Sequence, residues 1–186
     1  MKANLRKSLI KKRMAQSSQD IIDKSQQIMD RLLSSTLLDS PKRIMLYKDF
    51  KKEVQTSALI NYLLERNIEV VLPRVSNDFT TMHLYLISSN EDMELSSYGI
   101  LEPIPAPKRE VTADTLDLIL APGVGFTKDC YRIGYGGGFY DKMLEGISNV
   151  KVCALAFECQ IVESLPIEPH DQQLDMLITE KAIYTK

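Results

Sequence analysis

Up to Pro41 the apolar residues recur with helical spacing, and beyond it they gather in short blocks, so the pattern divides the chain into two regimes. Residues 2 to 14 predict a helix with Leu5, Leu9 and Ile10 on one side and Lys2, Arg6 and Arg13 grouped on another, which separates charge from core. Ser17 or Ser18 offers an N-cap for a second helix in which Ile21, Ile22, Ser25, Ile28, Met29, Leu32 and Leu33 keep the period. Asp39-Ser40-Pro41 is the expected stop.

The apolar blocks at 43–47, 70–75, 82–87, 116–122, 152–157 and 182–185 predict strands. Between the first two, residues 56–67 carry Leu59, Ile60, Leu63 and Leu64 at helical spacing and predict the crossover of a βαβ unit. The expected fold class is therefore α/β, with a mostly parallel sheet covered by helices. Residues 102–110 contain Pro103, Pro105 and Pro107 in alternation, cannot supply a central strand's donors, and predict a loop running extended over the surface. No repeat or change of composition marks a linker, so one domain spanning residues 1–186 is expected, although length alone leaves room for two small ones.

Composition narrows the function classes. With 44% hydrophobic and 26% charged residues the 186-residue chain has the make-up of a globular protein. A net charge of -2 and a pI near 5.8 disfavour a protein that coats nucleic acid, so any anion site must be local. Apolar runs such as 118–121 fall far short of a bilayer span, and the basic start, Lys2 to Arg13, lacks the apolar core of a signal peptide. Neither membrane nor nucleic acid is expected as a partner, and a cytoplasmic monomer is the expectation. Three cysteines, Cys130, Cys153 and Cys159, form no CxxC pair and predict reduced thiols. With only His83 and His170 in the chain, a zinc site is not expected.

The densest chemistry lies between Pro122 and Ile147. Six of the eight glycines, at 123, 125, 134, 136, 137 and 138, follow the block ending at Pro122 and precede a helix predicted from Phe139. Consecutive residues without Cβ let N–H groups turn to one side, and a helix start adds unpaired donors, so a phosphate is the expected occupant. Neither GxGxxG nor GK[ST] spacing is present, and a tight connection would use glycine too, but Arg132 beside the stretch supplies a partner for phosphate oxygens. Asp141, in the first helical turn, reads equally as a capping carboxylate or as a ligand for Mg²⁺. Asp171 and Asp175 are candidates for a second carboxylate that the pattern does not rank, and His170 has the setting of a structural histidine.

These stretches together resemble the 5-formyltetrahydrofolate cyclo-ligases, also called 5,10-methenyltetrahydrofolate synthetases. The resemblance runs through Lys2 and Arg6, 72–74, 99–103, 121–144, 155–166 and 170–175. It implies a three-layer α/β/α domain with a mixed, largely parallel sheet, and the MgATP-dependent conversion of 5-formyltetrahydrofolate to 5,10-methenyltetrahydrofolate, ADP and phosphate. By the same resemblance Lys2, Arg6 and the segment Arg132, Ile133, Gly134, Tyr135, Gly136, Gly137, Gly138, Phe139 and Tyr140 surround the ATP phosphates, with Arg132 and Tyr140 closest to the chemistry. Tyr135 through Phe139 also face the folate, together with Phe50 and Gln55, while Asp141 and Asp171 match the magnesium-associated aspartates.

The sequence departs from the family pattern at three places. Gln55 stands where an acid is common and offers no charge-assisted bond; Tyr135 and Gly137 stand where some members carry basic residues, which leaves more phosphate charge to Lys2, Arg6, Arg132 and Mg²⁺. The resemblance calls for no protein nucleophile, so Cys130 is expected to be incidental. The competing readings are a phosphosugar isomerase-like enzyme, which would need no ATP, and a nucleotide-binding regulatory module without turnover.

Overall fold

The computed structural model describes residues 2–96, 99–168 and 171–186. Helix α1 (Lys2–Met14) and helix α2 (Ser18–Leu33) precede strand β1 (Arg43–Met45), helix α3 (Ser57–Glu65), β2 (Glu69–Val75) and β3 (Met82–Ile87). There follow β4 (Met93–Leu95), β5 (Leu101–Pro103), β6 (Glu110–Val111), β7 (Leu118–Ala121), β8 (Gly125–Phe126) and β9 (Arg132–Ile133). The short helix α4 (Phe139–Leu144), β10 (Lys151–Leu155), β11 (Met176–Ile178) and β12 (Ile183–Thr185) complete the order.

Eight strands form one sheet in the order β12-β11-β10-β7-β1-β2-β3-β6. β11, β10, β7, β1 and β2 run parallel, and antiparallel pairing of β12, β3 and β6 finishes the edges. Alternation along the strands divides the core between two faces. Ile44, Leu46, Val70, Leu72, Leu118 and Leu120 pack beneath α2 and α3. Met45, Val71, Ile119, Ala121 and Ala154 face the opposite layer, where Phe126 and Leu144 contribute from the β8–β9 hairpin and α4. The expected three layers are present, with one of them thin.

Several boundaries differ from the sequence reading. Ser17 caps α2 in a reciprocal pair with Asp20, but the helix ends at Leu33 and a separate turn, Thr36–Leu38, precedes Pro41. Ile22 and Leu33 remain exposed, because the buried stripe is the narrower set Ile21, Ser25, Ile28 and Leu32. The proline-rich loop contains β5, which pairs with β4, and leads into the edge strand β6; Pro103 fits because that pairing lies outside the main sheet. β11 and the β8–β9 hairpin were not foreseen, since runs of two or three residues carry too little period to register.

Separation of charge from core along α1 does not hold. Leu9 and Arg13, one turn apart, are both buried at 1% exposure. Leu9 packs with Val124 and Ile133 of the hairpin, which stabilises the docking by about 2 kcal/mol. Arg13 serves a polar network described below. Among the described residues no helix is long and apolar enough to cross a membrane.

The topology also creates a crevice. The chain leaves β1 toward α3 and β2 on one side, whereas β7 leads by way of the hairpin and α4 to β10 on the other. Connections that part at adjacent parallel strands open a cleft at the carboxyl ends. Beyond Leu46, whose N–H still bonds to Val71, β1 no longer accompanies β2, so Pro73 lies beside the gap and needs no donor there. Because the Ser17 cap is exposed and its side chain bonds within its own capping box, Ser17→Ala should lower the urea midpoint by the equivalent of about 1 kcal/mol with an unchanged slope.

Candidate active site

Residues 134–138 leave β9 and reach α4 through two glycines with left-handed backbone, Gly136 at φ 108° and Gly138 at φ 68°. Gly138 is the N-cap, and the Arg6 guanidinium lies 3.5 Å from where a Cβ on Gly136 would sit. A side chain at position 136 would thus meet both backbone strain and a neighbouring cation. Arg6 holds the stretch from outside by donating from Nε to the Gly134 carbonyl at 2.8 Å. Within it, the N–H groups of Tyr135 through Tyr140 have no acceptor among the described residues. A row of unpaired backbone donors beside two arginines has the chemistry of an anion cradle.

The cradle lines a cleft of about 250 Å³ that is also lined by Lys2, Arg6, Glu168 and Asp171. Arg132 enters from β9 with 4% of its side chain exposed; its Nη2 donates to Asp141 Oδ1 at 2.8 Å, and its Nε is buried without a partner. Lys2 Nζ donates to Asp171 Oδ2 at 3.0 Å and lies 3.1 Å from Glu168. Burial pulls the Lys2 ammonium down, but the Asp171 and Glu168 carboxylates outweigh it and raise it above its ordinary value. The N–H of Gln172 approaches Asp141 Oδ1 at 3.5 Å, which draws the segment after Asp171 toward α4. Both carboxylates singled out in the sequence thus reach the cleft, each paired with a cation. Asp175 instead accepts from the Val152 N–H and pairs with Lys186, away from the cleft. His170 lies outside the described residues.

Hard oxygen ligands next to a phosphate cradle suit magnesium, which is usually held by one or two carboxylates with phosphate oxygens completing the shell. Among the described residues no cluster of three or more metal-binding side chains exists. Asp141 and Asp171, both lining the cleft, fit a metal that would arrive with phosphate.

Behind the cradle lies a network that the sequence reading missed. Lys51 and Lys52 both take left-handed backbone, at φ 48° and 57°, and turn Glu53 inward, where its Oε2 accepts from the Phe50 N–H at 3.0 Å. The Tyr135 hydroxyl donates to Glu53 Oε1 at 2.7 Å and accepts from Arg13 Nη2. Arg13 also donates from Nη1 to the Gly123 carbonyl and from Nε to the Lys51 carbonyl, both at 3.2 Å, and its Nη1 lies 3.5 Å from Glu53 Oε1. Although Tyr135 as a residue is 46% exposed, its hydroxyl is held inward, and burial followed by the Glu53 charge raises its pKa. Gln160 pins the other end by donating to the carbonyls of Gly123 and Val124 at 3.0 and 3.1 Å.

Phe50 and Gln55 line neither the cradle cleft nor its neighbour. Gln55 is exposed, and its backbone N–H donates to Ser25 of α2; a Lys51 ammonium covers the Phe50 ring at 4.8 Å. The acid that reaches the glycine stretch is Glu53, two positions earlier, and the only signal for it was its place ahead of α3. Cys130 is buried in the hairpin turn, and burial raises its thiol pKa, so it is a poor nucleophile.

Tyr140 stands with Phe139 between the cradle cleft and a second cleft of about 150 Å³ walled by Tyr47, Leu72, Pro73, Met82 and Leu101. The Arg132 guanidinium lies 5.4 Å from the Tyr140 ring centre, and burial keeps the phenol protonated against that cation's pull. The two clefts share one wall, so an anion held by the glycine stretch and an apolar ring system next to it would meet at Tyr140.

Loss of the cation through Arg13→Met is expected to cost about 3–5 kcal/mol in denaturant titrations, and adding Glu53→Gln should restore part of that loss. Burial, only partly opposed by Arg13 and Tyr135, holds the folded Glu53 carboxyl above its ordinary 4.5. The folded state then binds more protons than the unfolded one between 4.5 and that raised value, so this group's contribution to stability falls as pH rises through the interval. Glu53→Gln should remove that slope from the pH dependence of the unfolding free energy.

Comparison with known proteins places this arrangement in a family. A profile described as the 5-formyltetrahydrofolate cyclo-ligase family matches residues 1–180. The 5-formyltetrahydrofolate cyclo-ligase of Mus musculus is 30% identical over 189 residues, covering 96% of this chain and 93% of the mouse protein. The Haemophilus influenzae protein of the same name is 38% identical over 142 residues, covering 74% and 75%. In three dimensions the NMR structure of Aquifex aeolicus 5,10-methenyltetrahydrofolate synthetase superposes with a TM-score of 0.86 at 30% identity, over 99% of this chain and 92% of that one. The chain belongs to the 5-formyltetrahydrofolate cyclo-ligase family.

Proposed function

We propose that this protein converts 5-formyltetrahydrofolate to 5,10-methenyltetrahydrofolate at the expense of ATP, with ATP phosphates in the glycine cradle and the folate in the apolar cleft beyond Tyr140. The observation that carries the nucleotide half is the row of unpaired N–H groups from Tyr135 to Tyr140 beside the buried, unpartnered Nε of Arg132. Family membership supports the folate half.

A formyl oxygen on N5 is a weak nucleophile and a poor leaving group until phosphorylated. Its attack on the γ-phosphorus forms a P–O bond and releases ADP; N10 of the same folate then attacks the activated carbon, the C–O bond breaks, phosphate leaves, and the N10 proton passes to water. Nothing in this sequence requires a protein nucleophile. The protein's part is to align two substrates across one wall and to stabilise charge on oxygens in transit.

Arg132 and Lys2, paired with Asp141 and Asp171 in this structure, would release them and take phosphate oxygens, with Arg6 joining from α1. Asp141 and Asp171 would then hold magnesium, which when bound neutralises negative charge shared among the phosphates. Each cation thus trades a carboxylate for a phosphate and each carboxylate trades a cation for a metal, leaving little net charge to desolvate. Tyr140, kept neutral by burial, keeps its hydroxyl proton at the junction of the clefts and is placed to donate it toward an oxygen passing between the substrates.

Purified protein mixed with 5-formyltetrahydrofolate should develop methenyl absorbance only when ATP and Mg²⁺ are both present. Asp141→Asn and Arg132→Met should each lower kcat/KM by about 10²- to 10³-fold while retaining the circular dichroism spectrum of the wild type. Product formation without ATP would overturn the reading, and binding of ATP with no absorbance change would favour the regulatory module instead.

A further inference from the structure

The apolar cleft beyond Tyr140 contains one acid that nothing above has used. Glu102 projects from β5 where that cleft meets an outer one of about 500 Å³ that holds Phe79, Ser76 and Leu95. Its carboxylate has no hydrogen-bond partner among the described residues. The neighbouring cation, Arg74, commits Nη1 to Glu94 at 2.6 Å and to the Pro103 carbonyl at 2.7 Å, and Lys48 donates to the Ser57 hydroxyl. Two acceptor oxygens therefore stand at the rim of a narrow apolar slot. Partial burial raises the Glu102 pKa, with Arg74 opposing and Glu94 assisting.

We infer that Glu102 determines specificity in the folate site, its two oxygens receiving the adjacent N3–H and 2-amino donors on the pyrimidinone edge of the pterin. This rests on the proposed function, in which that cleft takes the folate. A flat bicyclic ring buries its faces between Leu72 or Pro73 and Leu101, and a slot of about 150 Å³ accepts little more than such a ring. Two parallel N–H donors match a carboxylate as an arginine fork does. The same charge rejects the other end of the substrate, because the carboxylates of its glutamate tail would face Glu102 where the neighbouring cation, Arg74, is already paired with Glu94. With the pyrimidinone edge held at Glu102, the N5 and C6 side of the ring points away from that carboxylate, and this is the orientation that brings the N5 formyl group toward the wall shared with the cradle.

The test is calorimetric titration with 5-formyltetrahydrofolate in the absence of ATP, using wild-type protein and Glu102→Gln, and then with the 2-desamino analogue of the same folate. Glu102→Gln keeps the shape but presents a donor where an acceptor is needed, and should weaken folate binding by about 10- to 100-fold while ATP affinity stays within twofold. Wild-type protein should bind the 2-desamino analogue about 10-fold more weakly than the parent, and that difference should vanish in Glu102→Gln. Parent-folate affinity within twofold of wild type in Glu102→Gln, or an analogue penalty that persists in the variant or is missing from the wild type, overturns the assignment. Wild-type protein that binds no folate at all overturns the proposed function, and Glu102 with it, and is thereby told apart from failure of Glu102 alone.

Discussion

Arg13 is the point on which the site depends. Its guanidinium is buried and touches the Gly123 carbonyl after β7, the Lys51 carbonyl after β1, the Tyr135 hydroxyl of the glycine stretch and the Glu53 carboxylate. A cation taken out of water costs several kcal/mol unless its donors are met and its charge is opposed, and both conditions hold here. Because those partners come from three loops at the carboxyl ends of the sheet, α1 cannot dock without ordering all of them. Docking of α1 is also what brings Lys2 and Arg6 to the cleft. One side chain thereby couples a local helix to the assembly of the candidate site.

The surrounding charges stand in pairs that the proposed reaction would exchange. Arg132 with Asp141 and Lys2 with Asp171 leave the cleft nearly neutral, so neither the cations nor the carboxylates stand exposed to one another's repulsion. Surface pairs such as Arg43 with Glu69 contribute about 0–1 kcal/mol and serve no such purpose. The glycine stretch completes the arrangement with donors that carry no net charge and need no rearrangement.

The positions of the two clefts follow from the order of the strands. A crevice forms where the connections from β1 and β7 diverge, and the early departure of β1 beside Pro73 widens it into an apolar slot. Phe139 and Tyr140, at the start of α4, divide that slot from the cradle. The proposed reaction of two substrates would need two compartments with one shared wall, and the two clefts meet at Phe139 and Tyr140 without a second domain.

The sequence alone determined what local rules control. The 3.6-residue period marked α1, α2 and α3, the apolar blocks marked the long strands, and glycine density beside Arg132 marked the cradle, because each is a property of neighbouring residues. Motif similarity added Lys2, Arg6, Asp141 and Asp171, all of which reach the cleft. Only the tertiary structure decided that Arg13 is buried, that Glu53 and not Gln55 approaches Tyr135, and that Glu102 stands in the apolar slot. In each of these cases a charged residue in a helix or loop reads as solvated until something distant in the chain covers it. The cover for Arg13 comes from residues 38 to 122 positions away, a distance over which no local pattern carries information.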